Sequence, residues 1–261
     1  MRIAVAATAP FGADVLERLA ARHEVAALLT RPDRPAGRGR KVAAPPAKLA
    51  AERLGIPVMQ PERPTAELEL PADTVVVAAY GLLIPEELLR RGLWLNVHPS
   101  LLPRWRGAAP VERALLAGDK ETGVTIHETV KELDAGPIAA MEAFPVPMEW
   151  DAGDVYGRAA ELAVELLDQA LPSPTFRPQE GEPTYAAKIE PADRELDLSK
   201  PKESLNRIRA LSPHIGARGE LDGRPVTIWR ARLEDGELVP VEVQPEGGKR
   251  MPYDAFRRGL R

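Results

Sequence analysis

Arg2-Ile3-Ala4-Val5-Ala6-Ala7 and Glu24-Val25-Ala26-Ala27-Leu28-Leu29-Thr30 are two apolar stretches separated by a turn at Thr8 to Gly12 and a helical pattern from Ala13 to Arg22. Val15, Leu16, Leu19 and Ala20 fall on one face of that helix, so the chain opens as strand, helix, strand. This order predicts a parallel sheet with right-handed crossovers, in which ligands sit outside the strand carboxyl ends. The expected fold is α/β, a doubly wound, mostly parallel, Rossmann-like sheet. The first turn carries only Gly12, however, and neither G-x-G-x-x-G nor G-x-x-x-x-G-K-[ST] occurs in the chain. A nicotinamide or nucleoside-triphosphate site is therefore rejected.

The 261 residues leave room for one large and one small domain. A hydrophobic content of 44% with 28% charged residues is that of a soluble globular protein. No apolar run approaches the ~18 residues of a membrane span, and the amino terminus lacks the apolar core of a secretory signal. No membrane partner is expected. The absence of cysteine excludes a disulfide framework, thiolate catalysis and thiolate zinc sites, and agrees with a cytoplasmic setting. With a formal charge of −4, any contact with nucleic acid must use local basic patches.

Further along, Ala72 to Ala79 is a continuous apolar run of the kind buried on both sheet faces. Tyr80-Gly81-Leu82-Leu83-Ile84-Pro85 leaves it at the ligand-bearing edge, where its aliphatic side chains read either as loop core or as a pocket wall. Leu93-Trp94-Leu95 ends the next strand and runs into Asn96-Val97-His98-Pro99-Ser100-Leu101-Leu102-Pro103-Arg104-Trp105-Arg106-Gly107-Ala108-Ala109-Pro110. Residues two apart on a strand share a face, so Asn96 and His98 project side by side. Pro99 and Pro103 end the ladder in a rigid loop. An amide donor beside an imidazole suits an oxyanion, although either residue taken singly also reads as a satisfied polar group. Helices are expected at Pro85 to Arg91, Pro110 to Gly118 and Asp151 to Leu171, and strands at Gly123 to Thr129 and Ile138 to Pro145. Asp134, in the tight loop Glu132-Leu133-Asp134-Ala135-Gly136-Pro137, is by itself an ordinary turn residue.

Two stretches carry concentrated positive charge. Arg31 to Lys41 holds five basic residues and one acid among prolines and glycines, so it reads as an irregular loop. That loop is either solvated or a flexible arm for a phosphate backbone. Lys249 to Arg261 again holds five basic residues and one acid. Between them, Pro172, Pro174, Pro178, Pro183 and Pro191 mark a linker, after which Ser199 to Leu211 is a helix and about three strands' worth of sequence follows.

The run from Asn96 to Pro110 resembles the signature of the folate-dependent formyltransferases. Ser100 to Pro110 is similar in particular to the methionyl-tRNA formyltransferase family. The resemblance implies catalytic roles for Asn96, His98 and Asp134, the last in an L-D-x-G match 38 positions after Asn96. It implies a folate slot formed by Tyr80, Gly81, Leu82 and Leu83 with Ser100, Leu101, Leu102 and Pro103. The co-substrate would be 10-formyltetrahydrofolate, with no metal, and the partner initiator methionyl-tRNA. Arg34, Arg38, Arg40 and Lys41 would reach its acceptor stem, and Lys249 and Arg250 would make a second contact. Residues 1–171 would be the catalytic domain, 172–198 a linker, and 199–261 a shortened, oligonucleotide-binding (OB)-like β-barrel, in a monomer. His127 and E-L-D-A-G-P are instead similar to the glycinamide ribonucleotide enzymes. That leaves a small amine, glycinamide ribonucleotide or an amino-sugar nucleotide, as the alternative acceptor, with His127 either near the transferring group or facing solvent.

In such a transfer, amine attack puts negative charge on the formyl oxygen, which preorganised donors stabilise best away from water. Asn96 and a protonated His98 are the expected donors. Asp134 is expected to raise the imidazole pKa and to help relay the proton of the amine.

Overall fold

The computed structural model describes residues 1–36 and 41–259. Its opening elements are β1 (Arg2–Ala7), α1 (Pro10–Ala20) and β2 (Glu24–Leu29), with the two strands paired in parallel. Ile3 through Ala7 are wholly buried, as an apolar run covered on both faces must be. A short hairpin, β3 (Arg34–Ala36) and β4 (Lys41–Ala43), precedes α2 (Pro46–Leu54), β5 (Val58–Met59), β6 (Thr74–Ala78), α3 (Glu86–Leu89) and β7 (Leu93–His98). Then come β8 (Arg106–Gly107), α4 (Pro110–Ala117), β9 (Glu121–Glu128), β10 (Ile138–Pro145) and α5 (Ala152–Ala170).

Seven of these strands form one sheet in the order β10-β9-β7-β6-β1-β2-β5. From β7 to β5 neighbouring strands are parallel, while β9 runs antiparallel to β7. The chain winds outward from β1 through β2 to β5, then returns to the other side of β1 with β6 and β7. The reversal lies between β1 and β6, so the ends of β1, β6 and β7 are the edge at which such sheets bind ligands. Gly12 belongs to that edge: a Cβ there would lie 2.3 Å from the Ala78 carbonyl oxygen, so only glycine lets α1 start this close to the end of β6.

By contacts the chain forms two compact units. One comprises Met1–Arg106, Gly123–Ala143 and Gly157–Thr184; the other comprises Gly107–Thr122, Phe144–Tyr156 and Tyr185 onward. The second unit includes β11 (Tyr185–Ala186), α6 (Pro201–Leu211), β12 (Ala217–Leu221), β13 (Arg224–Glu234), β14 (Glu237–Pro245), β15 (Met251–Pro252) and α7 (Tyr253–Arg258). The last four strands form an antiparallel sheet in sequence order, one strand more than the sequence suggests, with β15 only two residues long. Ile228, Trp229, Val243 and Phe256 are buried in this unit. Among the described residues no helix is long and apolar enough to cross a membrane.

The basic stretch differs from its expected irregularity. Its base pairs Arg34 with Ala43, Pro35 with Val42 and Ala36 with Lys41, a short isolated ladder in which proline is tolerated because no second neighbour needs its missing N–H. The Lys48 ammonium donates to both Asp33 carboxylate oxygens, and the Gln60 amide donates to Asp33 and to the Arg31 carbonyl. Arg38 and Arg40 lie outside the described residues.

Candidate active site

Asn96 and His98 stand at the end of β7, and the antiparallel register places His127 of β9 opposite Asn96 and Thr125 opposite His98. Asp134 closes the group from the loop between β9 and β10. Asn96 Nδ2 lies 3.0 Å from His127 Nε2 and 3.3 Å from Asp134 Oδ1. His98 Nδ1 and His127 Nε2 are each 3.7 Å from an Asp134 oxygen. The three residues expected to act together therefore do meet, and His127 joins them on the inside of the protein: it is 2% exposed, so its solvent-facing reading is withdrawn.

The surrounding loops hold these groups by hydrogen bonds. His98 Nε2 is 2.8 Å from the Trp105 carbonyl oxygen, which can only accept, so this nitrogen carries the proton. Trp105 takes φ 64°, and its N–H donates to Thr184 Oγ1 at 2.9 Å. The Thr125 hydroxyl donates to the Ser100 carbonyl at 2.7 Å and accepts the Leu102 N–H at 3.1 Å. Ser100 donates to the Arg104 carbonyl. Asp134 takes φ 49°, and the Gln179 amide donates to the carbonyls of both Asp134 and Gly136, at 2.8 and 2.9 Å. Arg106 in turn donates to Gln179 Oε1.

The charge on His98 is the reverse of the expected one. Burial lowers its pKa below the ordinary value, and this outweighs the upward pull of Asp134 and of the Trp105 hydrogen bond. His98 is 4% exposed, and removing an imidazolium from water costs more than a carboxylate 3.7 Å away returns. The resting ring is neutral at neutral pH, with Nε2–H on Trp105 and the Nδ1 lone pair toward Asp134.

The segments expected to form the slot divide in two. Tyr80 is buried against Ala6, Leu29 and Trp94, with its phenol pKa pushed up to about 12 chiefly by that burial. Its hydroxyl has no hydrogen-bond partner in the structure, and its carbonyl accepts from Thr8. Leu82 packs partly against the same cluster, whereas Leu83 is 88% exposed. Gly81 takes φ 77° beside the Arg31 side chain. Leu102 is buried, and Leu101 and Pro103 are half-buried. Among the expected RNA contacts, Arg34 is exposed and reaches Glu62 at 3.3 Å, and Lys41 lies on β4. Lys249 is exposed, while the Arg250 guanidinium lies 3.3 Å from the Trp229 ring centroid and donates to the Pro213 carbonyl.

Sequence reasoning missed Thr125, Gln179 and Thr184. Thr125 could have been found, because it lies two residues from His127 and so shares its face. The other two lie in the proline-rich stretch, whose order comes from elsewhere: Arg177 exchanges both backbone hydrogen bonds with Ile138. Among the described residues no group of three or more His, Cys, Asp or Glu side chains is placed to hold a metal ion.

A family model described as formyl transferase matches residues 1–171. The methionyl-tRNA formyltransferase of Cereibacter sphaeroides is 40% identical over 295 aligned residues, covering 100% of this chain and 96% of that protein. Among solved structures, a methionyl-tRNA formyltransferase from Clostridium thermocellum has a TM-score of 0.67 at 16% identity, over 94% of this chain and 98% of its own. HypX from Aquifex aeolicus in complex with tetrahydrofolic acid gives 0.63 at 18% identity, over 98% of this chain and 46% of its own. These two likenesses concern the fold. With the family match spanning most of the chain and a relative alike along its whole length, the chain belongs to the formyl transferase family.

Proposed function

We propose that the protein transfers the formyl group of 10-formyltetrahydrofolate to the α-amino group of initiator methionyl-tRNA. The observation that carries this reading is the convergence of Asn96, His98 and Asp134 at a strand carboxyl edge, in a chain aligned along its whole length with a relative named methionyl-tRNA formyltransferase. The residues also fit a flat, partly apolar ring. Exposed Leu83 and half-buried Leu82 lie just beyond the end of β6, and β6 pairs directly with β7, which carries Asn96 and His98.

When bound, the folate supplies an activated formyl group on nitrogen. An Asn96 N–H donates to the oxygen on which charge develops as the amine attacks. Neutral His98 accepts the proton of the amine at Nδ1, and Asp134 at 3.7 Å stabilises the imidazolium so formed. The same proton then leaves for the departing nitrogen, so one C–N bond forms, one breaks and no proton is left over. An α-amino group has a pKa near ~7.7, so the acceptor needs no strong base to be neutral.

We assign residues 1–171 to the catalytic domain, 172–198 to the linker and 199–261 to an OB-like RNA-binding domain. Arg34, Arg38, Arg40 and Lys41 contact the RNA backbone in this reading, together with Lys249 and Arg250. The test is formylation assayed in parallel on initiator methionyl-tRNA, elongator methionyl-tRNA and glycinamide ribonucleotide. Product on the initiator alone is expected. Product on glycinamide ribonucleotide alone overturns the RNA reading in favour of a small amine.

A further inference from the structure

The Asn96 amide can act as an oxyanion donor only if it presents its nitrogen rather than its oxygen to the reacting group. Nothing in Asn96 itself decides this, because the two ends of an amide are nearly the same shape. The decision is made on the neighbouring strand. His127 Nδ1 lies 2.9 Å from the Glu128 carbonyl oxygen, which can only accept, so Nδ1 carries the proton. In a neutral ring the other nitrogen, Nε2, then has a lone pair and no hydrogen. Asn96, 3.0 Å from that nitrogen, must offer it an N–H.

The second amide hydrogen points to Asp134 Oδ1 at 3.3 Å, and an ionised carboxylate also accepts only. Both neighbours therefore select the same orientation of the amide. The contact with Asp134 is the longer of the two, so its hydrogen is the one released to an incoming oxyanion while the contact with His127 holds the group in place.

We infer that His127 is a positioning residue: a chain from the Glu128 carbonyl through the His127 tautomer sets the direction of the Asn96 amide. Gly136 protects this chain, since a Cβ at that position would lie 1.8 Å from the Glu128 oxygen and 3.4 Å from His127 Nδ1. The inference rests on the formyl-transfer reading for its consequence, but its geometric content is tested separately.

Long-range proton–nitrogen NMR on the intact 261-residue chain reads the ring tautomer of His127 without any turnover. Protonation at Nδ1 alone is expected; a neutral ring protonated at Nε2 reverses the amide and overturns the inference, whatever the substrate proves to be. In kinetics, H127M is expected to lower kcat on the order of tenfold while the KM for each substrate stays within about twofold, since a misaligned donor is felt in the transition state. H127Q, which places an acceptor at similar reach, is expected to recover most of that loss. An unchanged kcat in H127M, or a Gln variant as slow as the Met variant, overturns the positioning role.

Discussion

Two regions of this protein bend the backbone into the left-handed conformation at residues other than glycine, and they do so by different means. In the carboxyl-terminal sheet, Asp222 and Asp235 take φ 51° and 50° and are followed by Gly223 and Gly236, each pair forming a two-residue hairpin. Asp-Gly suits such turns on its own, because a short polar side chain tolerates this conformation and glycine has no Cβ to oppose it. Trp105 and Asp134 at the active site, and Ala79 just after β6, take φ 64°, 49° and 47°. Alanine and tryptophan have no such preference, and the conformation costs about 1–2 kcal/mol per residue.

Long-range bonds hold the second set. Ala79 accepts from the Ala9 N–H, Trp105 donates to Thr184, and Asp134 accepts from Gln179. The hairpins are thus encoded where they occur. The site is held by segments that lie far away in sequence, as is common where strain supports function.

The largest expected effect is at the chemistry itself. His98→Ala should lower formyl transfer on the order of 10³-fold, read on protein shown to be folded, because removing a buried ring that is bonded to the Trp105 carbonyl also lowers thermal stability. Turnover within tenfold of the parent would remove His98 from the reaction. Gly136→Ala forces the Glu128 carbonyl to move and should cost about 2 kcal/mol of stability together with most of the activity, read by denaturant titration and assay. A stable and active variant would mean that the loop is less constrained than the hairpins.

The charge state of His98 adds a pH signature. Its folded pKa is lowered by burial, so below about 6.5 the unfolded chain takes up a proton that the folded protein refuses. Stability is therefore flat above that pH and falls as pH drops toward the folded value. His98→Gln should remove this part of the slope, and an identical slope in parent and variant would contradict the neutral resting ring.

The two smallest effects compare the regions directly. Ala79→Gly should stabilise the protein by about 1 kcal/mol, by relieving the left-handed conformation of alanine. Asp235→Gly should stay within about 0.5 kcal/mol of the parent, since aspartate already tolerates its turn. Equal effects at the two positions would erase the distinction between local and long-range encoding.

The sequence by itself determined what depends on near neighbours. The alternation along Leu93 to His98 placed Asn96 and His98 on one face, the prolines after them ended the strand, and the apolar runs with the helix between β1 and β2 dictated a parallel sheet. The family signature added Asp134 to the pair. Only the tertiary structure decided that His127 faces Asn96, because cross-strand register depends on the pairing of β7 with β9. The tertiary structure alone brought Gln179 to Asp134, 45 positions away in the chain. It also set the charge of His98, since desolvation is a property of everything packed around the ring, whereas the carboxylate seen in the sequence was one partner among several.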